Sequence, residues 1–173
     1  LPTKRTGQVL AVLGLLFFTT RTAANTASLA MAGADQTAKL HAIDRIPRGA
    51  RVITLTGMPC TDYWPLLRNS HLGAMVIVRR EGFSNDQWLL EGVNLLDLKY
   101  RAAGYFAADP SQLVRPNHCH DLLHRTIDQS LAALPRNDFD YVWLIDVPPY
   151  DPALVAGIDP VWRGPGSILY RLH

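Results

Sequence analysis

The chain reads as an α/β protein: a small, mostly parallel sheet with covering helices, preceded by a hydrophobic, transmembrane-like helix. Three observations point there. Two β-branched runs, Arg51 to Thr56 and Phe139 to Asp146, have the apolar density of buried strands. Segments with helical spacing lie between and before them, the alternation expected of βα units. Ahead of both stands Val9 to Phe18, a run apolar on all sides rather than along one stripe.

The amino-terminal run is flanked by Lys4 and Arg5 before it and Arg21 after it. A full span takes about 20 apolar residues, and flanking arginines extend a shorter run by snorkelling to the interfaces. A signal peptide is the second reading, with Ala30-Met31-Ala32 as a cleavage-like site, although Arg21 interrupts the approach. A buried soluble helix is the third. The span is favoured, with residues 1–21 as its end and residues 22–173 as an extracytoplasmic α/β domain. Lys4 and Arg5 place the start of the span on the cytoplasmic side. The first residue is Leu1 rather than methionine, so the expectation is a piece of a longer, polytopic chain.

Thr22 to Ile46 continues as a long helix with Leu29, Leu40 and Ile43 on its apolar side. Pro47-Arg48-Gly49-Ala50 stops it, and Arg51 to Thr56 is the first strand. After a long loop, the pattern predicts a second strand over Leu72 to Arg79. Phe83 to Val114 lacks a clean period and is expected to be irregular, with short strands. Leu122, Leu123, Ile127, Leu131 and Leu134 recur at helical spacing, which predicts a helix from Asn117 to Leu134 with Asn117 as its cap. Phe139 to Asp146 is the strongest strand, Asp151 to Ile158 a short helix, and Ser167 to Leu172 the last strand, antiparallel at an edge.

Of the 173 residues, 18% are charged, below the usual quarter, and the net charge is only +2. The arginines are scattered, so nothing indicates a nucleic-acid partner. Neither G-x-G-x-x-G, a P-loop, G-x-S-x-G nor H-E-x-x-H is present, so no cofactor is expected and no catalytic residue is assigned. Cys60 and Cys119 form no C-x-x-C pair. In an oxidising compartment they could join, but unpaired thiols are the commoner reading.

Three groups carry candidate chemistry. In an open α/β sheet, ligands gather beyond the carboxyl ends of the strands, where Asp62 and Asp146 fall, and paired carboxylates do acid–base work. The plainer reading is that both acids cap turns. Arg68-Asn69-Ser70-His71 supplies donors for a phosphate or sugar, with Arg68 and His71 as binding candidates, or else satisfies loop backbone. His118, His120 and His124 are the metal candidates, since His120 and His124 share a face at helical spacing. Surface histidines in a helix's first turn are the simpler account.

Four segments follow the last apolar run: Ile46-Pro47-Arg48-Gly49-Ala50-Arg51-Val52, Ser70-His71-Leu72-Gly73-Ala74, Asp109-Pro110-Ser111-Gln112, and Phe139-Asp140-Tyr141-Val142-Trp143-Leu144. On these the chain resembles the C-terminal region of bacterial multi-pass membrane proteins of the glycosyltransferase-like kind. The resemblance covers most of the chain, and its motifs are structural rather than catalytic. It implies an inner-membrane protein whose catalytic acid sits in an early extracytoplasmic loop. The domain here would assist, with a lipid-linked sugar as the substrate class. The alternative is a secreted or periplasmic α/β protein that binds a small ligand or metal at the strand ends.

Overall fold

The computed structural model describes residues 4–61, 66–89, 92–93, 97–119 and 123–173. The chain divides into two units, Leu1–Asp35 and Gln36–His173.

The first unit is helical. Its described residues lie within α1 (Lys4–Leu40), whose apolar residues Val9, Leu10, Val12, Leu13, Leu15, Leu16, Phe17 and Phe18 are all more than half exposed. From Val9 to Phe18 the helix offers water no polar side chain on any face, and no stripe of that run is buried. Among the described residues, it is the one helix long and apolar enough to cross a membrane. Its last residues belong to the second unit. A 3₁₀ turn over His41–Arg45 follows, and Ile46 turns extended before Pro47, which cannot continue a helix.

The second unit is built on one sheet, of six strands among the described residues. They are β1 (Arg51–Gly57), β2 (Phe83–Ser84), β3 (Leu113–Val114), β4 (Tyr141–Ile145), β5 (Asp159–Gly164) and β6 (Ser167–Arg171). The order is β2-β1-β4-β6-β5, with β3 also on β1. β1 pairs in parallel with β2, β3 and β4, whereas β6 runs antiparallel to both β4 and β5. The sheet is thus α/β as expected but mixed rather than mostly parallel. The turn at Pro165-Gly166 folds β6 back on β5, and a hairpin is necessarily antiparallel. β6 is therefore an inner strand, and β5, unread in the sequence, is the edge.

β2 and β3 share one side of β1 at opposite ends, through Arg51↔Phe83 and Thr56↔Leu113. Between them a side chain completes the ladder. Asn85 accepts from the Thr54 amide at 2.7 Å and donates to the Thr54 carbonyl at 3.1 Å, and its amide also reaches Ser111 Oγ at 3.2 Å. A primary amide carries the same donor and acceptor as a peptide unit, so Asn85 stands in for a strand residue.

Alternation along the strands splits the core between the two faces. Ile53, Leu55, Val142 and Leu144 pack with Ile127, Leu131 and Phe139. Val52, Trp143, Ile145 and Leu169 pack with Ala42, Ile43 and Val76. Trp143 is fully buried, and its indole N–H donates to Ser167 Oγ at 2.8 Å.

Two elements differ from expectation. Leu72 to Arg79 is not a strand: Ala74–Arg80 is helix α2. Gly73 lies against Thr54 and Asp86, Asp86 accepts from the Ala74 amide at 2.9 Å, and only Val76 is buried. Tertiary contacts at the start of the segment outweigh its β-branched composition. Of the helix expected over Asn117 to Leu134, the described residues form only α3 (Ile127–Ala132), and residues 120–122 lie outside the described residues. Its start is a capping box: Thr126 Oγ1 accepts from the Gln129 amide, and the Gln129 side chain accepts from the Thr126 amide. Asn117 still serves that helix from outside, accepting from the Asp128 amide at 3.2 Å. The short helix near Asp151 is a 3₁₀ turn over Pro152–Val155, capped by the Asp151 carboxylate.

Candidate functional site

Because β1, β3 and β4 are parallel, their carboxyl ends lie at the same end of the sheet. The residue after β4 is Asp146, with φ at +47°, a left-handed conformation uncommon for a residue with a side chain. Strained backbone of this kind persists only where its surroundings hold it, and it concentrates at functional sites. Here the Asp146 amide donates to the Gly166 carbonyl at 2.6 Å. On the other side the backbones of Gly57 and Asp146 approach so closely that a Cβ on Gly57 would collide with the Asp146 carbonyl. Gly57 is required there by space.

The Asp146 carboxylate has two identified partners. Asn69 Nδ2 donates to Oδ2 at 2.7 Å, and Lys39 Nζ lies 3.2 Å from Oδ1. Lys39 is 3% exposed and the aspartate 41%. A buried ammonium needs a compensating charge, which gives the strained aspartate a structural reason. The aspartate's exposed portion contributes to an open groove of about 390 Å³ with Leu144, Val147, Tyr150, Arg163 and Ser167. Burial pushes the Tyr150 phenol up to about 12, helped by its 3.1 Å hydrogen bond to Tyr170, so it is a neutral partner in the groove. Carboxylate, phenol and guanidinium over apolar Leu144 and Val147 suit a polyhydroxylated or anionic ligand.

The turn at residues 68–71 borders this centre. The Arg68 carbonyl accepts from Gln36 Nε2 at 2.7 Å, which ties the loop to the end of α1. Ser70 Oγ donates to the Leu67 carbonyl at 2.9 Å. His71 is paired through Nδ1 with Asp86 Oδ1 at 2.8 Å, the imidazole 68% and the carboxylate 2% exposed. Burial pushes the Asp86 carboxyl above its ordinary value, against the His71 hydrogen bond and the Ala74 amide, which lower it. The Nδ1 contact fixes the ring's orientation and leaves Nε2 on the exposed side. A histidine oriented by a buried acid is a recognised arrangement for proton transfer.

A second cluster lies just beyond β1 and β3. Cys60 and Cys119 form a disulfide, with Cα atoms 5.7 Å apart, where unpaired thiols were the commoner expectation. His118 Nε2 sits 3.3 Å from Cys60 Sγ. The ligand atoms of Cys60, His118 and Cys119 all lie within 4.8 Å of one another.

The structure thus sets Asn69, in the same turn as Arg68 and His71, on Asp146, pairs His71 with Asp86, and brings His118 beside the cysteines. His124 lies ahead of α3, on no helix, and outside the cysteine group. Asp62 and His120 lie outside the described residues, so the Asp62–Asp146 pairing and the shared face of His120 and His124 have no geometry to report. Lys39, Asp86 and Arg163 went unread in the sequence. The Ser84-Asn85-Asp86 run was the one signal for Asp86, because consecutive small polar residues after a strand often turn their side chains back to the backbone. No family model, curated protein or solved structure matches the chain.

Proposed function

We propose that the chain is the membrane-anchored, extracytoplasmic accessory domain of a polytopic protein in the bacterial inner membrane, serving the handling of lipid-linked sugars. The single observation that carries this reading is the Cys60–Cys119 disulfide in a chain that also has an apolar, exposed helix. Disulfides persist in oxidising compartments, and Lys4 and Arg5 ahead of the apolar run favour a cytoplasmic start. Support for the sugar comes from the groove beside Asp146, with a carboxylate for hydroxyl groups and Arg163 for a phosphate.

The test uses native cells. After fractionation and a carbonate wash, the chain stays with the membrane, and external protease digests the 36–173 unit in spheroplasts. Thiol alkylation of Cys60 and Cys119 requires prior reduction. A band recovered in the soluble fraction, or protease protection in intact spheroplasts, sinks the proposal. A second reading, an extracytoplasmic ligand-binding protein that is not an integral membrane component, is favoured by the groove alone. The carbonate wash separates the two.

A further inference from the structure

The two arms that carry the cysteines are held in place without the sulfur bond. β1 and β3 pair through Thr56↔Leu113 and Gly57↔Val114, and the Met58 amide donates to the Val114 carbonyl at 2.9 Å. Further along, the Cys119 amide donates to the Pro116 carbonyl at 3.0 Å. The Arg115 amide donates to the Arg125 carbonyl at 3.1 Å, and the Ile127 amide to the Arg115 carbonyl at 2.9 Å. Breaking the disulfide therefore leaves both sulfurs near their present places. Cys119 is buried, His118 is exposed, and the imidazole is already turned toward Cys60.

We propose that Cys60, Cys119 and His118 form a redox-gated zinc site: a disulfide when oxidised, a three-ligand centre when reduced. Two thiolates and a neutral imidazole are the soft and borderline donors zinc prefers, and three protein ligands leave a fourth position open. The ligand atoms already lie within 4.8 Å of one another, close to the spacing around a tetrahedral ion. Only the sulfur–sulfur contact has to open. A thiol- or phosphine-class reductant supplies two electrons and is itself oxidised, and the two sulfurs take up two protons. Zinc then displaces those protons as the thiolates bind.

The experiment takes the full chain in detergent, oxidised or reduced with a phosphine that is then removed, equilibrates it with zinc alone, and measures bound metal after gel filtration. One zinc per reduced chain and none per oxidised chain is the expected result. Cobalt in place of zinc gives a thiolate-to-metal charge-transfer band only in the reduced protein. His118→Ala keeps the disulfide and the fold, and weakens zinc binding at least tenfold once reduced. Equal metal in both redox states overturns the proposal, as does undiminished binding by His118→Ala. Zinc retained by reduced Cys60→Ser/Cys119→Ser at wild-type affinity assigns the metal elsewhere and also overturns it.

Discussion

Asn85 shows how much one side chain can carry. Its amide replaces a missing strand residue beside Thr54 and is fully buried. Asn85→Ala leaves a buried N–H and C=O of β1 without partners, a loss of about 2–4 kcal/mol. Thermal unfolding of the detergent-solubilised chain reads this as a clear fall in Tm, and an unchanged Tm refutes the surrogate-strand account. Two carboxylates give opposite pH dependences. Hydrogen bonds from the Arg51 guanidinium hold Asp140 below its ordinary 3.8, although burial opposes them. The folded state therefore binds that proton more weakly than the unfolded one, so this stabilisation is present above 3.8 and is lost as pH falls. Asp86 is raised above 3.8, chiefly by burial. The folded state holds its proton more tightly, so stability from this group declines as pH rises above 3.8 and then levels off. In unfolding curves across pH, Asp140→Asn flattens the acid limb and Asp86→Asn removes the decline on the other side.

At the scale of elements, α3 is too short to be stable by propensity alone, and its six residues depend on their cap and on packing. Thr126→Ala removes half of the capping box and costs about 1 kcal/mol. Its effect should appear as a lower denaturation midpoint with an unchanged slope. A midpoint equal to wild type would mean that burial of Ile127 and Leu131 holds the helix unaided. β4 was legible because Tyr141 to Ile145 is buried on both faces, which leaves no polar alternation in the sequence. α2 was not legible. Met75-Val76-Ile77-Val78 has strand composition, and the first amide of the helix, Ala74, is satisfied by Asp86, twelve residues further on.

For the molecule as a whole, the Cys60–Cys119 bond joins residues 59 apart in sequence, for which the chain-entropy argument gives about 4 kcal/mol. Reduction, or Cys60→Ser/Cys119→Ser, should lower the unfolding temperature accordingly while the native spectrum survives, because β1 and β3 remain paired. Loss of native structure on reduction alone would show the bond to be essential for that pairing. The same paired arms keep the sulfurs close enough for a metal.

The amino-acid pattern alone announced the α/β class, the long amino-terminal helix, β1, β4 and β6, because those features depend on local periodicity and on apolar runs with only one stable burial. It also marked Arg68, His71, Asp146 and His118 as chemically notable, but grouped Asp146 with Asp62 and His118 with His120 and His124. Tertiary structure decided the rest. The mixed pairing of β6, the switch of residues 74–80 from strand to helix, and the Cys60–Cys119 bond all rest on contacts between distant segments. The union of Lys39, Asn69 and Asp146 spans more than a hundred residues of sequence. No local pattern records such a meeting, since the free energy that stabilises it appears only when the sheet brings the strand ends together.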